Sequence, residues 1–150
     1  MAMPKAGDKA PDFKTVNQNG DEVSLSALKN KTVVLYFYPK DDTPGCTVEA
    51  CSFRDGFAKI KSKAVLFGVS PDSAKSHAKF IEKHKLPFDL LVDEDKAISK
   101  AYGVWAKKKF MGKEYMGVLR TTFVIKDGKI TQVFEGVKPD GHAEEVLAAL

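Results

Sequence analysis

The chain has 150 residues and 43% hydrophobic content, enough to bury one ordinary core without disulfide staples, so a single domain over residues 1–150 is expected. Its 24 Lys and Arg against 20 Asp and Glu leave a charge of +4 spread along the sequence, which provides no clustered footprint for nucleic acid. Two cysteines are too few for a secreted scaffold, the start from Met1 to Asp8 lacks a signal-peptide core, and no apolar stretch nears the ~20 residues that cross a bilayer; a protein of the reducing cytosol with no membrane partner is expected.

Residues Val16 to Leu25 carry Asn19-Gly20 between two short segments, which predicts a small N-terminal hairpin added at an edge. The run Thr32-Val33-Val34-Leu35-Tyr36-Phe37-Tyr38 is apolar without alternation, as in a strand covered on both faces in mid-sheet. A proline-bounded loop follows, and then Val48, Cys51, Phe53, Phe57 and Ile60 recur at spacings that suit one helical stripe. Ala64 to Ser70 reads as a second buried strand, with Asp72 or Ser73 placed to cap a helix reaching about Lys85, where Leu86-Pro87 stops it. Leu90 to Val92 is a short strand and Asp93 to Tyr102 a short helix. Trp105 to Tyr115 has weak periodicity and reads as a long surface loop. Thr121 to Ile125 and Ile130 to Phe134 form a hairpin turning at Asp127-Gly128, and a last helix runs from about Asp140 to Ala149. Helices between the early strands, then a closing hairpin and helix, describe an α/β sandwich around one mixed sheet, with thioredoxin-like topology.

The chemistry concentrates where the first buried strand hands over to a helix. Cys46 and Cys51 follow Pro39, Lys40, Asp41, Asp42, Thr43, Pro44 and Gly45. A helix start directs N–H groups and the positive end of the helix at its first residues, and the thiolate is the nucleophilic form of cysteine. Thr43 lies three residues before Cys46, a spacing that lets a turn bring its hydroxyl beside the sulfur as donor or acceptor. Arg120, opening a later strand, can supply fixed positive charge. Attack on an O–O bond needs a stabilised thiolate, an oriented peroxide and donors for the departing oxygen, and these residue types suit it.

Two other classes compete with a thiol peroxidase. A disulfide oxidoreductase or redox-regulated binding protein would want Cys-x-x-Cys, whereas four residues separate Cys46 from Cys51. A zinc-bound interaction module would enlist His77 and His84, whose six intervening residues fall outside usual ligand spacing. Lys107-Lys108-Lys109 beside Trp105 and Phe110 read as solvated surface rather than a nucleic-acid strip. Asp93, Glu94 and Asp95 read as a capping cluster. Walker, GxGxxG, HExxH and GxSxG motifs are missing from the sequence.

The segment from Pro39 to Asp55, with Gly7-Asp8-Lys9-Ala10-Pro11-Asp12-Phe13 before it and Gly117 to Phe123 after it, resembles the peroxiredoxins, specifically the Q-type or bacterioferritin comigratory protein group. The resemblance covers essentially the whole chain, with Tyr102-Gly103-Val104-Trp105 similar to the motif before the family's variable loop. It implies that Cys46 is the peroxidatic cysteine and Cys51 the resolving one. It further implies that Thr43 and Arg120 activate Cys46 and bind peroxide together with Gly45, that Pro39 shields the pocket, and that Glu49, which by its place in the helix also reads as a surface carboxylate, orients the arginine. The implied substrates are hydrogen peroxide and organic hydroperoxides. The resulting intramolecular disulfide would be returned to thiols by thioredoxin or a similar dithiol donor, in a monomer needing no metal or organic cofactor.

Helix geometry adds a requirement of its own. Five residues along a continuous helix separate Cα atoms by ~7.5 Å of rise and direct the side chains apart, whereas a disulfide needs Cα atoms within about 7 Å. Oxidation is therefore expected to unwind the helix near Cys46 to Phe53.

Overall fold

Residues 3–150 are described by a computed structural model. The apolar runs form a five-stranded mixed sheet in the order β5-β4-β3-β8-β9. Strands β3 (Thr32–Phe37), β4 (Val65–Ser70) and β5 (Asp89–Val92) are parallel, while β8 (Thr121–Lys126) and β9 (Lys129–Phe134) continue the sheet antiparallel beyond β3. The unalternating β3 is central, as its sequence predicts, because cores lie on both of its faces. Val33, Leu35 and Phe37 point into one core and Val34 and Tyr36 into the other. The first core is closed by Phe13, Leu25, Tyr102 and Val104, and the second by helices α1 (Pro44–Ile60), α2 (Ala74–His84) and α4 (His142–Ala148).

The N-terminal hairpin, β1 (Lys14–Val16) with β2 (Glu22–Ser24), is an edge addition as expected; it joins edge strand β5 through a bridge between Asn17 and Leu91. Ser73, one of the two expected capping residues, caps α2 by accepting from Ser76 N. Gly68 lets the second core close. A Cβ there would stand 2.8 Å from Cζ of Tyr36, whose ring stacks on Phe53 of α1 at 4.6 Å.

Three expectations are corrected. The Trp105–Tyr115 stretch is no loop: β6 (Trp105–Phe110) and β7 (Lys113–Val118) pair antiparallel from Trp105 opposite Val118 out to Phe110 opposite Lys113. The hairpin projects from the core with only its base buried, so a hydrophobic pattern is lacking along its exposed arms. Helix α3 spans only Ala97–Ala101, because the Asp93 carboxylate accepts from Ile98 N, Ser99 N and Ser99 Oγ and holds the residues before Ala97 in a turn. The α1 stripe is also rotated: its buried face is Cys46, Glu49, Ala50, Phe53 and Ile60, and Val48 is exposed. No helix among the described residues is long and apolar enough to cross a membrane.

Candidate active site

The chain leaves β3 through buried Tyr38 and half-buried Pro39 and enters α1 at Pro44. Thr43 is the N-cap in extended conformation, and Pro44 takes the first helical position, where a missing N–H is no loss. Cys46 is thus third in the helix, buried at 1% exposure. The bond from Thr47 N to Thr43 O closes the first turn, so the N–H groups of Gly45 and Cys46 have no carbonyl within the helix to meet. Two such donors and the positive helix end therefore lie in the same turn as the sulfur.

Glu49, one turn further along the same face, is fully buried. Arg120 approaches from the link between β7 and β8, one residue before the strand it was expected to open. Its Nη1 donates to Glu49 Oε1 at 2.7 Å and its Nη2 to Cys46 Sγ at 3.3 Å. The planar guanidinium spans carboxylate and sulfur at once. Gly45 makes room for it, since a Cβ there would lie 3.2 Å from Nη2. Burial pushes the Glu49 carboxyl up to about 7, and the pairing with Arg120 offsets this only in part. For Arg120, burial opposes the charge, but Glu49 and Cys46 outweigh it and hold the guanidinium above its ordinary value.

Thr43 caps the helix that carries this group, but its hydroxyl is not used as expected. Its hydroxyl donates to Lys40 O at 2.9 Å, and the side-chain hydrogen bond to Cys46 comes from Arg120 instead. Cys51, half-buried, lies on α1 away from Cys46, in a groove of about 590 Å³ between α1 and α4 shared with Val48, Ser52, Asp140 and Leu147. Both cysteines are free thiols.

The other candidates disperse. His77 reaches Asp41 and His84 reaches Asp42, so the two histidines do not meet each other or the cysteines. Lys108 turns its Nζ to Val118 O, while Lys107 pairs with Glu114. Trp105 packs half-buried against the first core beneath Lys96, so lysines and aromatics do not form a continuous strip. Asp95 accepts from Ala97 N beside the capping Asp93. Asp41, in contrast, is a buried acid at the root of the cysteine loop, and nothing in its sequence context marks it so.

Comparisons with known proteins converge on one family and one fold. The AhpC/TSA family model matches residues 6–133. Peroxiredoxin Bcp of Bacillus subtilis is 51% identical over 148 residues, covering 96% of this chain and 93% of that protein. Solved structures of peroxidoxin BcpB from Mycobacterium tuberculosis (TM-score 0.84, 40% identity, 96% of this chain and 94% of that one) and of the Xanthomonas campestris bacterioferritin comigratory protein (TM-score 0.87, 35% identity, 98% and 94%) share the fold. With these matches running over nearly the whole length of this chain and of its relatives, the chain belongs to the AhpC/TSA family, as a thiol peroxidase of the Bcp peroxiredoxin group.

Proposed function

We propose that the enzyme reduces hydrogen peroxide and organic hydroperoxides at Cys46 and resolves the product with Cys51, within one domain acting as a cytosolic monomer. The observation that carries this reading is the contact of Arg120 Nη2 with Cys46 Sγ. The Cys46 thiolate attacks one peroxide oxygen; an S–O bond forms, the O–O bond breaks, and the departing oxygen leaves as hydroxide or alkoxide and takes up a proton. Arg120 and the N–H groups of Gly45 and Cys46 are the donors that meet developing negative charge. Thr43 spends its proton on Lys40 O, so its oxygen meets a hydroperoxide O–H as acceptor. Pro39 shields the site, and Glu49 holds the guanidinium in place.

The Cys51 thiol then displaces water from the Cys46 sulfenic acid to form an intramolecular disulfide, and two electrons from thioredoxin or a similar dithiol donor restore both thiols. Both cysteines lie in one continuous helix, with ~7.5 Å of rise between them, so the first turns of α1 unwind for this step. Organic substrates gain support from the Xanthomonas campestris protein, described for alkyl peroxide reduction activity. The test is peroxide consumption with a dithiol reductant, coupled to mass and disulfide mapping after one equivalent of peroxide. The expected result is a Cys46–Cys51 linkage in a single chain and no turnover in Cys46→Ser; activity surviving that substitution would falsify the assignment.

A further inference from the structure

The mechanism above leaves a buried histidine unused. His77, on α2, has no exposed surface, and both its ring nitrogens face oxygen. Nε2 lies 2.8 Å from the carbonyl of Leu91, which can only accept, so Nε2 carries a hydrogen. Nδ1 lies 2.7 Å from Asp41 Oδ2, with one proton between ring and carboxyl. The ring thus ties the end of β5 to the cysteine loop.

Asp41 is held from every side. Tyr38 Oη donates to its Oδ1 at 2.6 Å and Ser76 Oγ to its Oδ2 at 2.8 Å, while its backbone N–H donates to Asp72 Oδ2 at 2.8 Å. That N–H belongs to the same peptide unit as the Lys40 carbonyl, and it is this carbonyl that accepts the Thr43 hydroxyl. Because a peptide unit is planar, fixing Asp41 fixes the direction of the Lys40 oxygen, and so the orientation of the Thr43 hydroxyl. A short covalent and hydrogen-bonded path runs from His77 to Thr43, the N-cap residue of the helix that carries Cys46.

A cation reading fails on the same contacts. Donor atoms of Asp41, Asp72 and His77 lie within 4.8 Å of one another, but they are already engaged in the hydrogen bonds just named. The cluster is a closed clamp.

We propose that His77 is a positioning residue for peroxide reduction, acting through Asp41 and the Lys40–Asp41 peptide to aim the Thr43 hydroxyl. The inference rests on Cys46 as the attacking thiol. Misplaced contacts of this kind slow a reaction without removing its nucleophile.

The test uses the Cys51→Ser parent, where only the first step is read. In that background His77→Leu is expected to lower the rate constant for sulfenic acid formation with hydrogen peroxide by about tenfold or more, while alkylation of Cys46 by iodoacetamide stays within about twofold, because alkylation does not need Thr43. In an Asp41→Ala background the same substitution is expected to add less than about twofold, the signature of one path. An asparagine amide stands where Nδ1 does and a glutamine amide where Nε2 does, so His77→Asn keeps more of the rate than His77→Gln. This order keeps the question decidable even if His77→Leu fails to fold. An unchanged peroxide rate, independent losses in the Asp41→Ala background, the reverse order of Asn and Gln, or alkylation that accelerates as peroxide reduction falls overturns the proposal. A parent that forms no sulfenic acid overturns the Cys46 reading itself, and this inference with it.

Discussion

Glu49 and Arg120, 71 residues apart in sequence, form an ion pair of 2.7 Å whose carboxylate is fully buried and uses only one of its oxygens. Glu49 Oε2 has no partner among the described residues. A buried carboxylate with one oxygen unmet is penalised in its charged form, and a single guanidinium that also serves a sulfur repays only part of that. The arginine is thus anchored at one end and kept available at the other.

A pH signature follows from that imbalance. Burial holds the folded-state carboxyl at about 7 against an ordinary value of 4.5, so between these limits the folded protein keeps a proton that the unfolded chain has released. The associated stability is fully present below the unfolded value and is lost as pH rises through the folded one. Denaturant unfolding of wild type and Glu49→Gln across this window is expected to show the wild type losing ground to the variant as pH increases. Parallel curves would count against a proton on Glu49.

Replacing Arg120 by lysine separates charge from shape. The guanidinium touches Glu49 Oε1 and Cys46 Sγ through different nitrogens, whereas an ammonium is a point charge that cannot hold both. Arg120→Lys is expected to slow peroxide reduction by about 10²-fold, the scale of losing one preorganised donor, with the fold retained. Stopped-flow oxidation with circular dichroism as control reads this; wild-type rates in a folded variant would remove Arg120 from the chemistry.

Much of the site is legible in the sequence because its parts are local. Thr43 and Cys46 fall at the cap and first turn of one helix, and the run from Thr32 marks a strand buried on both faces. What escapes is non-local. The residues around Glu49 leave it open between a surface acid and a partner of the arginine, and only the family resemblance favours the second; it faces inward because Arg120 arrives from 71 residues away, and the apolar stripe is instead drawn through Val48, which is exposed. The β6–β7 hairpin escapes for a different reason. It is held by its own register while Phe110, Met111, Tyr115 and Met116 stay exposed, so burial imprints no alternation on it. Asp41 is unreadable because its burial depends on His77 and Ser76 of α2, more than thirty residues further along the chain.

Removing the second thiol is expected to stop the cycle rather than the first step. Cys51 lies away from the Arg120 contact, so Cys51→Ser should consume one equivalent of peroxide at close to the wild-type rate and retain Cys46 as sulfenic acid. A sulfenic-selective reagent with intact-mass readout detects the trapped species. Normal multiple turnover with a protein dithiol donor would show that Cys51 is not needed for resolution.

The structure also sets how far α1 can unwind on oxidation. Phe53 is fully buried, stacked on Tyr36 at 4.6 Å and set edge-on against Phe88 and His142 at 6.4 and 5.4 Å, so it anchors the helix two residues beyond Cys51. Unwinding confined to the turns before this anchor frees the carbonyls of those turns, and each helical N–H bonds the carbonyl four residues earlier. Amides up to Gly56 should therefore lose protection in the disulfide form, while Phe57 to Lys61, whose acceptors begin at Phe53, keep theirs; the bond from Lys61 N to Phe57 O marks the retained end. Hydrogen exchange on the reduced and disulfide forms measures this boundary. Unchanged protection throughout α1 would rule out local unwinding as the route by which Cys51 reaches Cys46, and loss extending into Phe57 to Lys61 would show that the Phe53 anchor yields as well.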